Sequence, residues 1–137
     1  MQPEHVEAIA AAWPGHAGTT VETVRAFLAE SVPDVDACAL RQLGAAGKEP
    51  QILAVAGRQL YRIESAEEAG RRGLGFVRLP LSDATVTLLE LRDDQAVRRR
   101  WTLRTREEGL SVETVQARGE EPPALERLMR LVLERAD

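Results

Sequence analysis

The sequence predicts an α+β fold: a seven-stranded antiparallel bent sheet, or partly open barrel, capped by a C-terminal helix and preceded by two N-terminal helices. Three observations carry that reading. Apolar residues in the first thirty positions recur at helical spacing. Residues 35–118 break into short apolar or alternating blocks, with turn residues roughly every ten positions. Residues 122–136 return to helical spacing.

Residues 3–31 read as two helices. Pro3 suits a first helical position, and Val6, Ile9, Ala10 and Trp13 form one apolar stripe. Pro14-Gly15 ends that helix. Thr19 followed by Glu22 is a capping-box pattern, opening a second helix whose Val21, Val24, Phe27 and Leu28 share a face until Ser31 and Pro33 close it. Short one-stripe helices do not stand alone in water, so they must pack on this chain or on a partner.

The strands expected next are 35–43, 51–56, 59–64, 75–81, 84–91, 97–106 and 110–117. Gly57-Arg58, Ser82-Asp83, Asp93-Asp94, Glu108-Gly109 and the glycines at 44–47 and 70–75 punctuate them. Residues 66–72 allow a helical turn. Trp101, Leu103 and Thr105 alternate with Arg100, Thr102, Arg104 and Arg106, which gives that strand one buried and one wet face. Pro122-Pro123 pre-sets the last helix, where Leu125, Leu128, Met129 and Val132 make the stripe and Glu126–Arg130 an i, i+4 pair on the outer side. Leu131 and Leu133 lie off the stripe, so this helix is expected to be covered over more than half its circumference.

Composition bounds the function classes. A chain of 137 residues is one ordinary domain with room for a core that needs neither disulfide nor metal. Trp13, Phe27, Tyr61, Phe76 and Trp101 are all of its aromatics, so the core rests on Leu, Val and Ala. A net charge of −4 argues against a general nucleic-acid binder. The single Cys38 excludes an internal disulfide and suits a reducing compartment. The absence of a signal-like N-terminus and of a membrane-length apolar run makes the cytoplasm the expected location. The excess of Arg over Lys, with Lys48 the one lysine, fits a GC-rich bacterial genome.

Ala54-Val55-Ala56-Gly57-Arg58-Gln59-Leu60-Tyr61-Arg62-Ile63 and Leu79-Pro80-Leu81-Ser82-Asp83-Ala84 resemble the turn-and-strand signatures of bacterial pleckstrin-homology-like, or GRAM-like, domains. Seven strands followed by one helix is also that family's element order. The resemblance divides the chain into an N-terminal helical extension, 1–33, and a pleckstrin-homology-like domain, 34–137. Ala56 departs from the family's more frequent Thr, and the family does not require the helical preface. The resemblance implies a binding module without catalysis, an adaptor whose partners are proteins, met at a sheet edge or beside the final helix. Some members bind phosphoinositides through a basic hairpin between the first two strands. Here Gly44–Pro50 offers only Lys48 beside Glu49, so a phosphoinositide membrane is not expected.

Arg98, Arg100, Arg104 and Arg106 share one strand face, with Arg99 opposite. Their sharpest reading is an anion- or acidic-peptide-binding stripe. The acidic net charge favours a solvated face instead, its arginines paired across strands with Glu113 and Glu90. Gly15–Thr20 lacks the Lys and the preceding strand of a phosphate loop. His5, His16 and Cys38 do not assemble a metal site, no serine sits in a nucleophile elbow, and the acidic pairs at Glu67, Asp93 and Glu120 lie at turns. The expectation is therefore no enzyme, no cofactor and no metal. The alternative class is a type III secretion chaperone-like protein, acidic and dimeric, which residues 19–43 and a middle helix at residues 66–72 would suit; a helix there favours that class and a loop the pleckstrin-homology-like one, and a homodimer stays open on either reading.

Overall fold

The computed structural model describes residues 1–14, 19–41 and 50–136. The elements are α1 (Pro3–Ala12), α2 (Val21–Ser31), β1 (Ala37–Arg41), β2 (Gln51–Ala56), β3 (Gln59–Glu68), β4 (Arg71–Pro80), β5 (Thr85–Arg92), β6 (Ala96–Arg104), β7 (Gly109–Ala117) and α3 (Ala124–Arg135). The strands form two antiparallel sheets, ordered β1-β2-β3-β4 and β5-β6-β7, that do not close into a barrel. The fold is α+β, as the patterning predicts.

Within the first sheet, β2 is buried on both faces. Leu53, Val55, Leu60 and Leu79 point toward the second sheet and meet Trp101, Leu103 and Val112. Their neighbours Ile52, Ala54, Tyr61 and Ile63 point the other way, into Val6, Ile9, Trp13, Val24 and Leu28. That second set explains the N-terminal helices, which pack on this chain: a strand with apolar residues on both faces needs a cover on each side. Gln2 fixes their entry, donating from Nε2 to the Val35 carbonyl at 2.8 Å and accepting the Val35 N–H on Oε1 at 3.0 Å. Trp13 Nε1 donates to the Thr19 carbonyl at 3.1 Å, which satisfies the one polar atom of a buried ring.

Several local expectations are corrected. Thr20, not Thr19, caps α2, its hydroxyl accepting the Thr23 N–H at 3.2 Å. Glu22 turns to Arg25 instead of back to the cap. Residues 66–72 hold no helical turn: β3 and β4 run on to Glu68 and Arg71, and Ala69-Gly70 joins them. Both joining residues have positive φ (52° and 78°), the hand that matches strand twist in a two-residue hairpin. The expected first strand begins at Ala37 instead of Val35, with β1 described as Ala37–Arg41; its residues 42–43, the Gly44–Pro50 hairpin apart from Pro50, and residues 15–18 of the glycine-rich turn lie outside the described residues.

α3 bridges the two sheets. Leu128, Met129 and Val132 enter the core between them. Glu126 does not face outward as its i, i+4 spacing suggested. It is fully buried and takes a 2.6 Å hydrogen bond from Arg99 of β6. Arg130 lies 5.8 Å from the Trp101 ring centroid, a cation–π distance. Of the two leucines off the stripe, Leu131 packs on the core and Leu133 is exposed. At the other end Arg135 donates to Asp36 at 2.5 Å and to the Gly57 carbonyl at 2.9 Å.

A buried ion pair is costly to break from one side, because the survivor keeps its desolvation penalty. Glu126→Ala is expected to lower unfolding free energy by about 3 kcal/mol or more in urea denaturation, whereas Arg99→Met with Glu126→Leu returns most of that loss. The Asp36 carboxyl is held below its usual range by the Arg135 hydrogen bond first and the Gly57 N–H second. Its contribution is therefore present above the unfolded carboxylate's range, near about 4, and is lost as pH falls through the lower folded value. An acid titration followed by circular dichroism should show a shallower stability decline for Asp36→Asn over that window.

Candidate functional site

The second sheet is covered on one face only. Its register places Val86, Leu88 and Glu90 of β5 beside Leu103, Trp101 and Arg99 of β6 on the inner face. The opposite parity places Thr87, Leu89 and Leu91 beside Thr102, Arg100 and Arg98 on the outer face, continued on β7 by Ser111, Glu113 and Val115. No described helix lies over that outer face. Leu89, Leu91 and Val115 are 51%, 62% and 50% exposed, and Leu88 on the inner side is 41% exposed. β5 is also the terminal strand of its sheet, so among the described residues one of its edges carries no strand partner.

Arg98, Arg100 and Arg104 stand on this outer face as the alternation predicts, and Arg99 turns inward. Arg106 does not join them. β6 ends at Arg104, and Arg106 sits in the turn that Thr105 closes by exchanging hydrogen bonds with Glu108. Arg100 pairs with Glu113 at 3.2 Å, the expected cross-strand partner. Glu90 serves the buried Arg99 instead, at 2.7 Å, and Arg92 at 3.3 Å. The Arg99 hydrogen bond is the largest cause holding the Glu90 carboxyl below its usual range. Among the described residues Arg98 and Arg104 make no ion pair, although the charge of Arg98 helps to lower the Asp93 carboxyl behind the Gln95 and Ala96 N–H groups that bind it. Together, Leu89, Leu91, Val115, Arg98, Arg100 and Glu113 line a shallow depression of about 100 Å³.

The leucines are the part that sequence patterning missed. The readable signal is Leu88-Leu89 followed by Leu91 in TVTLLELR: adjacent leucines break the period of two and must put apolar side chains on both faces. Cross-strand pairing then decides which of them is left wet.

The other reactive residue types are dispersed. His5 Nδ1 lies 3.1 Å from Gln2 Oε1 on α1. Cys38 is partly buried, and burial pushes its thiol pKa up, away from nucleophilic character. At the far end of β2 from α3, Arg62 pairs with Glu108 at 3.0 Å, Gln51 donates to Glu64 at 2.7 Å and Arg41 to the Ser111 carbonyl at 2.5 Å. The Arg62 and Arg41 contacts tie the two sheets together, and the Gln51–Glu64 bond joins β2 to β3 within the first. Among the described residues no three His, Cys, Asp or Glu side chains converge as a metal site would require. No helix among them is long and apolar enough to cross a membrane. Comparison with protein-family models, with curated proteins and with solved structures gives no match for this chain.

An exposed leucine that supports no core should be replaceable. Leu91→Ser is expected to change unfolding free energy by less than about 0.5 kcal/mol. Leu28→Ala, in the fully buried layer under the first sheet, should cost about 2–5 kcal/mol. Parallel urea melts of the two variants check both values.

Proposed function

We propose that this chain is a non-catalytic protein-binding module, an adaptor of pleckstrin-homology-like architecture acting in the bacterial cytosol. One observation carries the reading: the exposed Leu89, Leu91 and Val115 on a rigid sheet face, next to the free edge of β5. An apolar cluster of that kind destabilises a lone monomer's solubility and is typical of an interaction surface. Element order supports the architecture, since seven antiparallel strands followed by one closing helix is the order that the sequence resemblance implies. The hairpin at residues 66–72 removes the middle helix on which the secretion-chaperone reading depended.

In this reading the N-terminal helices are scaffold and the β5–β7 sheet is the working surface. Affinity capture from a native cytosolic extract tests it, using the full chain and a Leu89→Asp/Leu91→Asp variant whose fold is verified by circular dichroism. The expected result is a protein retained in constant proportion by the wild type and lost by the variant. Equal retention by both places the partner elsewhere on the molecule, and no retained protein counts against the module itself.

A further inference from the structure

We propose that the outer face of the β5–β7 sheet receives an extended acidic peptide segment of another protein, seated along β6 with one apolar side chain in the depression between Leu89, Leu91 and Val115. This rests on the protein-binding reading and names the chemistry of the partner.

Charge selects the occupant. The chain carries −4 overall, yet its outer β5–β7 face presents Arg98, Arg100 and Arg104 against the single carboxylate of Glu113. A second copy docked face to face would set two rows of arginines against each other, whereas an acidic segment neutralises one row. Cations at Arg98 and Arg104 are available without breaking an ion pair among the described residues. The Arg100–Glu113 pair is exposed on both sides, at 55% and 70% of the side chain, and such pairs are weak enough to exchange partners. Three arginines interleaved with leucines are too few, and too apolar in their setting, for a nucleic-acid backbone.

Geometry sets the pattern of the segment. Arg98 and Arg100 lie two residues apart on one strand, about 7 Å along it. An extended peptide repeats at the same distance, so every second side chain faces the sheet. An apolar residue over the depression therefore has its sheet-facing neighbours two positions away on each side, within reach of the long arginine side chains. The recognised pattern is acid–x–apolar–x–acid. The depression is flanked by Leu89, Leu91 and Val115, whose apolar walls suit an aliphatic side chain.

The test is an amide chemical-shift titration of the full chain with the synthetic peptide Gly-Glu-Thr-Leu-Thr-Glu-Gly. Two counterparts accompany it, one with Lys for both Glu and one with Ser for the Leu. The account expects saturable shifts confined to β5–β7, at least about tenfold weaker binding of the lysine peptide, and clear weakening by the serine change and by added salt. Arg98→Glu/Arg100→Glu, verified as folded by its unchanged spectrum elsewhere, should reverse the preference and take the lysine peptide. Equal binding of all three peptides, shifts outside this sheet, or a single-stranded oligonucleotide that displaces the acidic peptide more readily than its own unlabelled form would overturn the inference. So would a dimer, seen by light scattering, that Leu89→Asp/Leu91→Asp dissolves. A wild type that ignores the acidic peptide while still losing its captured partner on Leu89→Asp/Leu91→Asp defeats this inference alone. A capture in which even the wild type retains no protein defeats the protein-binding reading as well.

Discussion

Two packed sheets have four faces, and the helices among the described residues cover only some of them. The inner faces bury each other around Trp101, Leu103, Leu53 and Val55, with α3 filling the space between. The outer face of the first sheet, bearing Ile52, Ala54, Tyr61 and Ile63, is closed by α1 and α2. The fourth face, on the β5–β7 sheet, carries no helix among the described residues. That distribution of cover is the constraint from which the rest follows. It makes the helical preface part of the core, and it leaves Leu89, Leu91 and Val115 wet. Neither effect is visible from any single element.

The attachment of α3 holds that arrangement in register. A helix with an amphipathic stripe tolerates rotation about its axis, and hydrophobic contact alone is not directional. Polar contacts supply direction at three heights: Glu126 to Arg99, Arg130 over Trp101, and Arg135 to Asp36 with the Gly57 carbonyl. Glu90 steadies Arg99 from the β5 side. That contact links the buried pair to the strand carrying the exposed leucines. The guanidinium of Arg99 loses hydration on burial, but its hydrogen bond to Glu90 and the charge of Glu126 outweigh that loss and keep it strongly basic. The outer face is thus displayed on a strand fixed from behind, which suits recognition better than a loop would.

How much of this is legible in the sequence follows the range of the interactions involved. The α+β class, β2 at Gln51–Ala56 and the inward Arg99 are local consequences of period-two and helical spacing, and they read directly. Thr20 rather than Thr19 as the cap is a one-residue ambiguity between adjacent identical side chains. At residues 66–72, AEEAGRR has good helix formers, but cross-strand pairing of Glu67 with Arg72 and Glu68 with Arg71 overrides propensity. Glu126 is the instructive case. Its spacing to Arg130 looks like a surface pair, and only the position of Arg99 on a distant strand makes burial of that carboxylate tolerable. The exposed leucines are non-local too: TVTLLELR says that one face must be wet, and the fold decides which.

Hydroxyl-radical footprinting of the dilute, partner-free full chain tests the distribution of cover most directly. Rapid oxidation is expected at Leu89, Leu91 and Val115, with protection at Leu28, Ile52 and Ile63 in the same sample. Protection of the three outer-face residues, or oxidation of Ile52 and Ile63 at comparable rates, would contradict it.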